Sequence, residues 1–145
     1  MIDFSFLGMQ FSPIRMSDCE VLSDFLTGFP QPLSGYTFAS LATWNSFYQY
    51  SWKLIEPETL LISCILEPEN YRHLLQPVGR MSTDLKAAII SQAANLPYPM
   101  KILGVSNQWI TDNSDFLPAF SSIEDRAVSN YVYSAQSLAL LPGRK

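Results

Sequence analysis

The chain has 145 residues, of which 48% are hydrophobic and 13% aromatic, enough apolar material for about one folded domain and too much for a disordered chain. Nine Lys and Arg against 13 Asp and Glu leave a formal charge of −4, which excludes autonomous binding to a phosphate backbone. Only 15% of the residues are charged, against about 25% in ordinary domains, so part of the surface is expected to meet another surface.

Taken in chain order, residues 16–26 predict a short helix. Ser17 or Asp18 can cap it, Glu20 lies in its first turn, and Val21, Leu22, Phe25 and Leu26 recur at helical spacing. Gly28, Pro30, Pro32 and Gly35 make 28–36 a loop. Residues 1–36 are therefore expected to form an irregular N-terminal segment with one short helix, and 37–145 the core of a single lobe. Phe38, Leu41, Ala42, Trp44, Asn45 and Tyr48 predict a helix over 38–47. The pattern then switches to alternating aromatics over 48–55 and a β-favouring apolar run over 59–66. With Glu56, Pro57 and Glu58 between them, these two segments predict a hairpin.

Residues 71–75 read as a third strand, ended by Pro77 and Gly79. Ser82 or Thr83 followed by Asp84, Leu85, Ala88, Ile89, Ala93 and Leu96 predicts a helix that stops before Pro97 and Pro99. Residues 100–105 read as a buried strand, and Ser106 can cap a short helix containing Trp109 and Ile110, with Phe116 and Leu117 beyond. Strands are expected at 120–124 and 127–133, then a helical turn at 134–141 ended by Pro142 and Gly143. Helices interleaved with strands, one pair of which is a hairpin, imply an α/β (α+β) class with a mixed β-sheet flanked by helices.

No apolar run approaches the ~18–20 residues needed to span a bilayer, and the longest, 60–66, is interrupted by Ser63 and Cys64. Asp3 is present and no basic residue precedes Arg15, so the positive region of a secretory signal is missing and a cytoplasmic location is expected. Cys19 and Cys64 have no metal-like spacing and are expected to be reduced and buried.

His73 is the sole histidine, in an apolar stretch, and reads as structural or surface rather than catalytic; metal sites needing two histidines are excluded. The six glycines are too scattered for a phosphate-cradling loop, so no cofactor is expected. Glu67 with Glu69 and Asp112 with Asp115 fall among turn formers and read as solvated loop charges. Trp44, Phe47, Tyr48, Tyr50 and Trp52 could line a groove, but their spacing favours packing. The C-terminal segment groups phenols with cations: Arg126, Tyr131, Tyr133, Arg144 and Lys145. The segment reads either as a strand followed by a capped helix or as a functional grouping, with the two tyrosines on one face of the strand and their hydroxyls in need of partners.

Three stretches carry a family resemblance. Phe38, Leu41, Trp44 and Tyr48 run into Leu60, Leu61, Ile62 and Ser63; Pro77-Val78-Gly79 follows; and Asn130-Tyr131-Val132-Tyr133 leads to Leu138 and Leu141-Pro142-Gly143-Arg144-Lys145. Together they resemble the C-terminal domain of phosphatidylglycerol lysyltransferase, across roughly residues 12–145. The resemblance implies a fold of two GNAT-like acyltransferase lobes in tandem, whose better-known members move an aminoacyl group from aminoacyl-tRNA to a lipid head group. This chain resembles the first lobe, N-terminal to a second one, so it is expected to be truncated and inactive alone. It would use an apolar face to meet a second lobe or another copy of itself. In the two-lobed enzyme, Tyr131, Tyr133 and Arg126 would shape the groove and Arg144 and Lys145 would lie near an anionic substrate; no base is assigned. The alternative is a non-catalytic protein-protein interaction module that retains the lobe fold.

Overall fold

The computed structural model describes residues 3–128 and 134–140. The chain begins with a small hairpin, β1 (Ser5–Phe6) and β2 (Met9–Gln10), then β3 (Ser12–Pro13). Two helices follow, α1 (Cys19–Gly28) and α2 (Phe38–Tyr48). The main strands come next: β4 (Ser51–Ile55), β5 (Thr59–Leu66), β6 (Tyr71–Leu75) and the short β7 (Val78–Gly79). Helix α3 (Thr83–Ala94) leads to β8 (Ile102–Leu103), α4 (Asn107–Asp112) and α5 (Ala135–Ala139).

The sheet runs β3-β4-β5-β6-β8, with β7 also paired to β5. Every pairing in it is antiparallel except β6 with β8, which is parallel and bridged by α3. A parallel pair needs such a crossover, whereas β4 and β5 are joined directly. The class is therefore mixed α+β, as the interleaved pattern predicts.

Strand β5 lies at the centre, with residues 59–64 all buried. Its even residues Leu60 and Ile62 face a cluster with Leu22, Leu26, Tyr36, Phe38 and Leu41, supplied by α1, α2 and the loop between them. On the opposite face Leu61 packs with Leu74, Leu85, Ile89, Trp109 and Phe116 from β6, α3, α4 and the segment beyond. Helices thus cover both faces, and Leu60, Leu61 and Ile62 each gain about 1.5–3 kcal/mol from burial.

The helix boundaries follow from capping chemistry. The Thr37, Ser82 and Ser106 hydroxyls accept the N–H groups of Ser40, Leu85 and Trp109, satisfying donors that a helix start leaves unpaired. Helix α2 stops where Gln49 takes a left-handed φ of +46°. The segment expected to be irregular around one helix also carries the β1–β2 hairpin and β3, which joins the main sheet, and it supplies Phe6, Leu7, Phe11, Ile14, Leu22 and Leu26 to the interior.

Several expectations are corrected. The strand expected at 100–105 shrinks to two half-buried residues at the sheet edge, because Gly104 turns the chain at a φ of +61°. Residues 120–124 form no strand, and Ile123 is 90% exposed; no neighbouring strand pairs with them, and β-propensity without a partner leaves the backbone groups to water. The strand expected at 127–133 begins instead as a 3₁₀ turn, Arg126–Val128, and its remainder lies outside the described residues. Trp44 and Phe47 are not core residues, being 53% and 57% exposed. Cys19 is exposed, whereas Cys64 is buried.

Gly79 closes the β5–β7 corner at a φ of +90°, and a Cβ there would lie 1.9 Å from the Glu58 carbonyl oxygen. Gly79→Ala is therefore expected to lower unfolding free energy by about 2 kcal/mol or more, measured by urea denaturation. A variant as stable as the parent would show that this corner relaxes without cost.

Candidate functional site

The sheet face toward α3 carries a polar group at its centre. Ser51 on β4 and Ser63 on β5 are register partners, fully buried and hydrogen-bonded to each other. Arg72, one strand over on β6, donates from Nη1 to both hydroxyls, at 2.9 Å to Ser51 and 2.8 Å to Ser63. The alternation of the strands dictates this meeting, since Ser51, Ser63 and Arg72 all project to one face. The guanidinium stands 5.6 Å from the centre of the Phe4 ring, close enough for a cation–π contact. Burial disfavours its charged form and lowers its pKa, while nearby Cys64, Tyr98 and Asp3 oppose that effect.

A cavity of about 270 Å³ opens beside Arg72. The β1–β2 turn at Leu7 and Gly8 forms one wall, and Gln92, Asn95 and Tyr98 at and beyond the C-terminal end of α3 form another. Tyr98 donates its hydroxyl to the Arg72 carbonyl at 2.8 Å and stacks flat on Tyr71 at 4.2 Å. Desolvation raises the Tyr98 pKa, so the phenol stays protonated and able to donate.

A second buried polar network seals the C-terminal ends of the parallel pair β6 and β8. The Tyr36 hydroxyl accepts from the Gln76 N–H at 2.9 Å and donates to the Gly104 carbonyl at 2.8 Å. Gln76, itself fully buried, donates to Gln31 and accepts from the Ser106 N–H. Burial drives the Tyr36 pKa upward, well above the usual phenol range. Ligands commonly enter α/β sheets at such strand ends, but here the position is filled and its polar atoms are satisfied.

Cys64 and His73 sit opposite each other on β5 and β6, a nucleophile and a base juxtaposed by register. They do not work as a pair. His73 Nδ1 accepts the Lys101 backbone N–H at 3.1 Å, and the ring edge meets Tyr98. Burial, with Lys101 nearby, lowers the His73 pKa and keeps it neutral. Burial also pushes the Cys64 thiol up to about 12, leaving almost no thiolate to attack at neutral pH.

Of the residues singled out at the C-terminal end, Arg126 is exposed on the 3₁₀ turn. Tyr131, Tyr133, Arg144 and Lys145 lie outside the described residues. Glu67 and Glu69 are exposed in a turn as expected, whereas Asp112 closes α4 and accepts from Gln108 one helical turn earlier, and Asp115 pairs with Lys86 at 2.9 Å, which lowers its pKa. Among the described residues no His, Cys, Asp and Glu cluster could hold a metal, and no helix is long and apolar enough to cross a membrane. Sequence reading missed Arg72; the signal available was a pair of serines at core-facing strand positions, which require a polar partner.

On the other side of the sheet, α1 and α2 leave an open groove of about 630 Å³ lined by Met16, Cys19, Leu26, Phe38 and Ala42. Trp44 and Phe47 stand exposed further along α2, each in ring contact with Tyr48, which in turn meets Tyr50.

No family model matches the sequence, and no curated protein matches it. Among solved structures, a conserved protein of unknown function from Bacteroides thetaiotaomicron VPI-5482 is similar, with a TM-score of 0.75 at 25% identity. The match covers 92% of this chain and 45% of that one, so the chain spans less than half the length of this structural neighbour.

His73 links this interior to pH. Because folding lowers its pKa below 6.5, the unfolded chain binds more protons in the window between the folded value and 6.5. Its stability contribution is complete above that window and is lost as pH falls through it. The urea midpoint is expected to drop between about pH 7 and pH 5, with His73→Gln flattening the slope; equal slopes would refute this linkage. Thiol labelling under native conditions should modify Cys19 and spare Cys64.

Proposed function

We propose that the chain is one lobe of a two-lobed, acyltransferase-like protein of the phosphatidylglycerol lysyltransferase type, and that it carries out no transfer by itself. The observation that carries this reading is the bare aromatic face of α2. A free-standing body of this size has little reason to hold Trp44 and Phe47 in water beside an apolar groove, and exposed patches of this kind mark surfaces made for contact. The length of the structural neighbour, more than twice the part matched here, supports a second unit. The antiparallel strands ending in a parallel pair bridged by α3 are in keeping with a GNAT-like lobe.

In such a transferase the protein positions an amine beside an activated ester and places donors where the tetrahedral oxyanion develops. Neither task needs the Cys64–His73 juxtaposition, which is inert here. Arg126, Tyr131, Tyr133, Arg144 and Lys145 remain the proposed substrate-side groups, closest to the second lobe in sequence. One observation favours the alternative of a non-catalytic interaction module: the strand ends where a substrate would enter are plugged by Tyr36 and Gln76.

A transfer assay with aminoacyl-tRNA and acyl thioester donors separates these readings. The lobe reading expects no turnover by this chain and turnover by a longer polypeptide carrying both lobes. Turnover by this chain alone would overturn it, and inactivity of both would favour the module. The contact face has its own test. Trp44→Ser with Phe47→Ser is expected to abolish association with the second lobe in sedimentation while changing stability by no more than about 0.5 kcal/mol per site; unaltered association would remove α2 from the interface.

A further inference from the structure

We propose that the cavity beneath the β1–β2 turn is a binding site for a small carboxylate-bearing molecule, gripped by the Nε–Nη2 edge of Arg72. The inference is independent of the two-lobe reading, because every residue involved belongs to this lobe.

The first support is charge. Among the described residues the ion pairs are Arg80 with Glu58 and Lys86 with Asp115. Arg72, half-buried, has no carboxylate of the described residues within 4.0 Å. Asp3 approaches it from the N-terminal side, but its Oδ1 accepts the Ser5 N–H at 2.8 Å, and it remains beyond ion-pair distance. A guanidinium withdrawn from water without a counter-ion is costly, and an anionic ligand removes that cost.

The second is geometry. Nη1 is committed to Ser51 and Ser63, which fix the plane of the guanidinium from inside the sheet. Nε and Nη2 then remain as a side-on edge carrying two parallel N–H donors, the arrangement that matches both oxygens of a carboxylate. No protein acceptor takes them among the described residues, and no unpartnered buried side-chain nitrogen is sealed from solvent. The open edge therefore belongs to the side of Arg72 that borders the 270 Å³ cavity.

The third is the wall opposite. Leu7 and Gly8 form the two-residue loop between the partners Phe6 and Met9, and their φ values of +52° and +70° are the pair of positive angles such a hairpin turn needs. The turn comes so near α3 that a Cβ on Gly8 would lie 3.2 Å from the Gln92 side chain. The amides of Gln92 and Asn95 and the Ser5 hydroxyl complete a polar rim. Because the carbonyl end of α3 and Asp3 both add negative potential, the site favours a monoanion over a phosphate dianion.

The test is a titration of the intact chain followed through the Arg72 Nε–Hε resonance by ¹⁵N NMR, at constant ionic strength set with sodium chloride. Sodium acetate is expected to shift the resonance saturably, acetamide not at all, and inorganic phosphate with lower affinity than acetate. Arg72→Lys, followed in this variant through the backbone amide of Gly8 on the cavity wall, should weaken acetate binding about tenfold or more, since an ammonium cannot engage both oxygens in the same plane. Gln92→Glu, on the exposed rim and away from the core, should weaken it while leaving the circular dichroism spectrum intact, which keeps the site testable if Arg72→Lys fails to fold. No saturable acetate shift, an equal response to acetamide, tighter binding of phosphate, or unchanged affinity in Gln92→Glu would each overturn the assignment.

Discussion

Thr59 to Cys64 of β5 are out of contact with solvent on both faces, and a strand of that kind is stable only where a layer of structure covers each side. Much of the architecture answers this requirement. Helices α1 and α2 cover Leu60 and Ile62, while the N-terminal hairpin, α3 and α4 cover Leu61 and its neighbours. The β6–α3–β8 crossover exists on one side because α3 must lie over that face, and it makes the last strand pair parallel. The N-terminal 36 residues become structural for the same reason: Phe6, Leu7 and Phe11 above the sheet and Leu22 and Leu26 below it supply part of the cover on each face of β5.

Two polar networks interrupt this apolar sandwich, and each is confined to one face. Below the sheet, Tyr36, Gln76 and Gln31 satisfy one another and the backbone where β6 and β8 end. Above it, Ser51, Ser63 and Arg72 form a chain of hydrogen bonds that is complete on the protein side and open toward the cavity. The contrast is chemical. A network of neutral groups can close upon itself, whereas a guanidinium brings five donors and a charge that two serine hydroxyls cannot balance. The first network stiffens the fold, and the second leaves a capacity for binding.

The outer surface divides in a comparable way. Helix α2 is apolar nearly all round, with Phe38 and Leu41 directed inward and Trp44 and Phe47 outward. Residues of both sets recur at spacings of three and four, so periodicity identifies the helix without telling which aromatic faces water. The scarcity of charge, read from composition, finds its counterpart in this face and the groove beside it. A second unit seated there would account for the low charge content, the exposed rings and the half-length match to a longer chain together.

Local signals were strong where a residue's role depends on its immediate neighbours. Ser82 and Ser106 mark helix starts because a hydroxyl reaches a backbone N–H three residues on, and the 59–66 apolar run marks a central strand because no exposed strand tolerates it. The expected strand at 120–124 failed because a strand is defined by its partner, which no local pattern can supply. For the same reason composition and spacing determined the class, the hairpin and the helix caps. Only the tertiary structure decided that Arg72 meets Ser51 and Ser63, residues 21 and 9 positions away in sequence. Strand register, a relation between distant segments, is what brings those three polar side chains onto one buried face, and it cannot be read from any one of them.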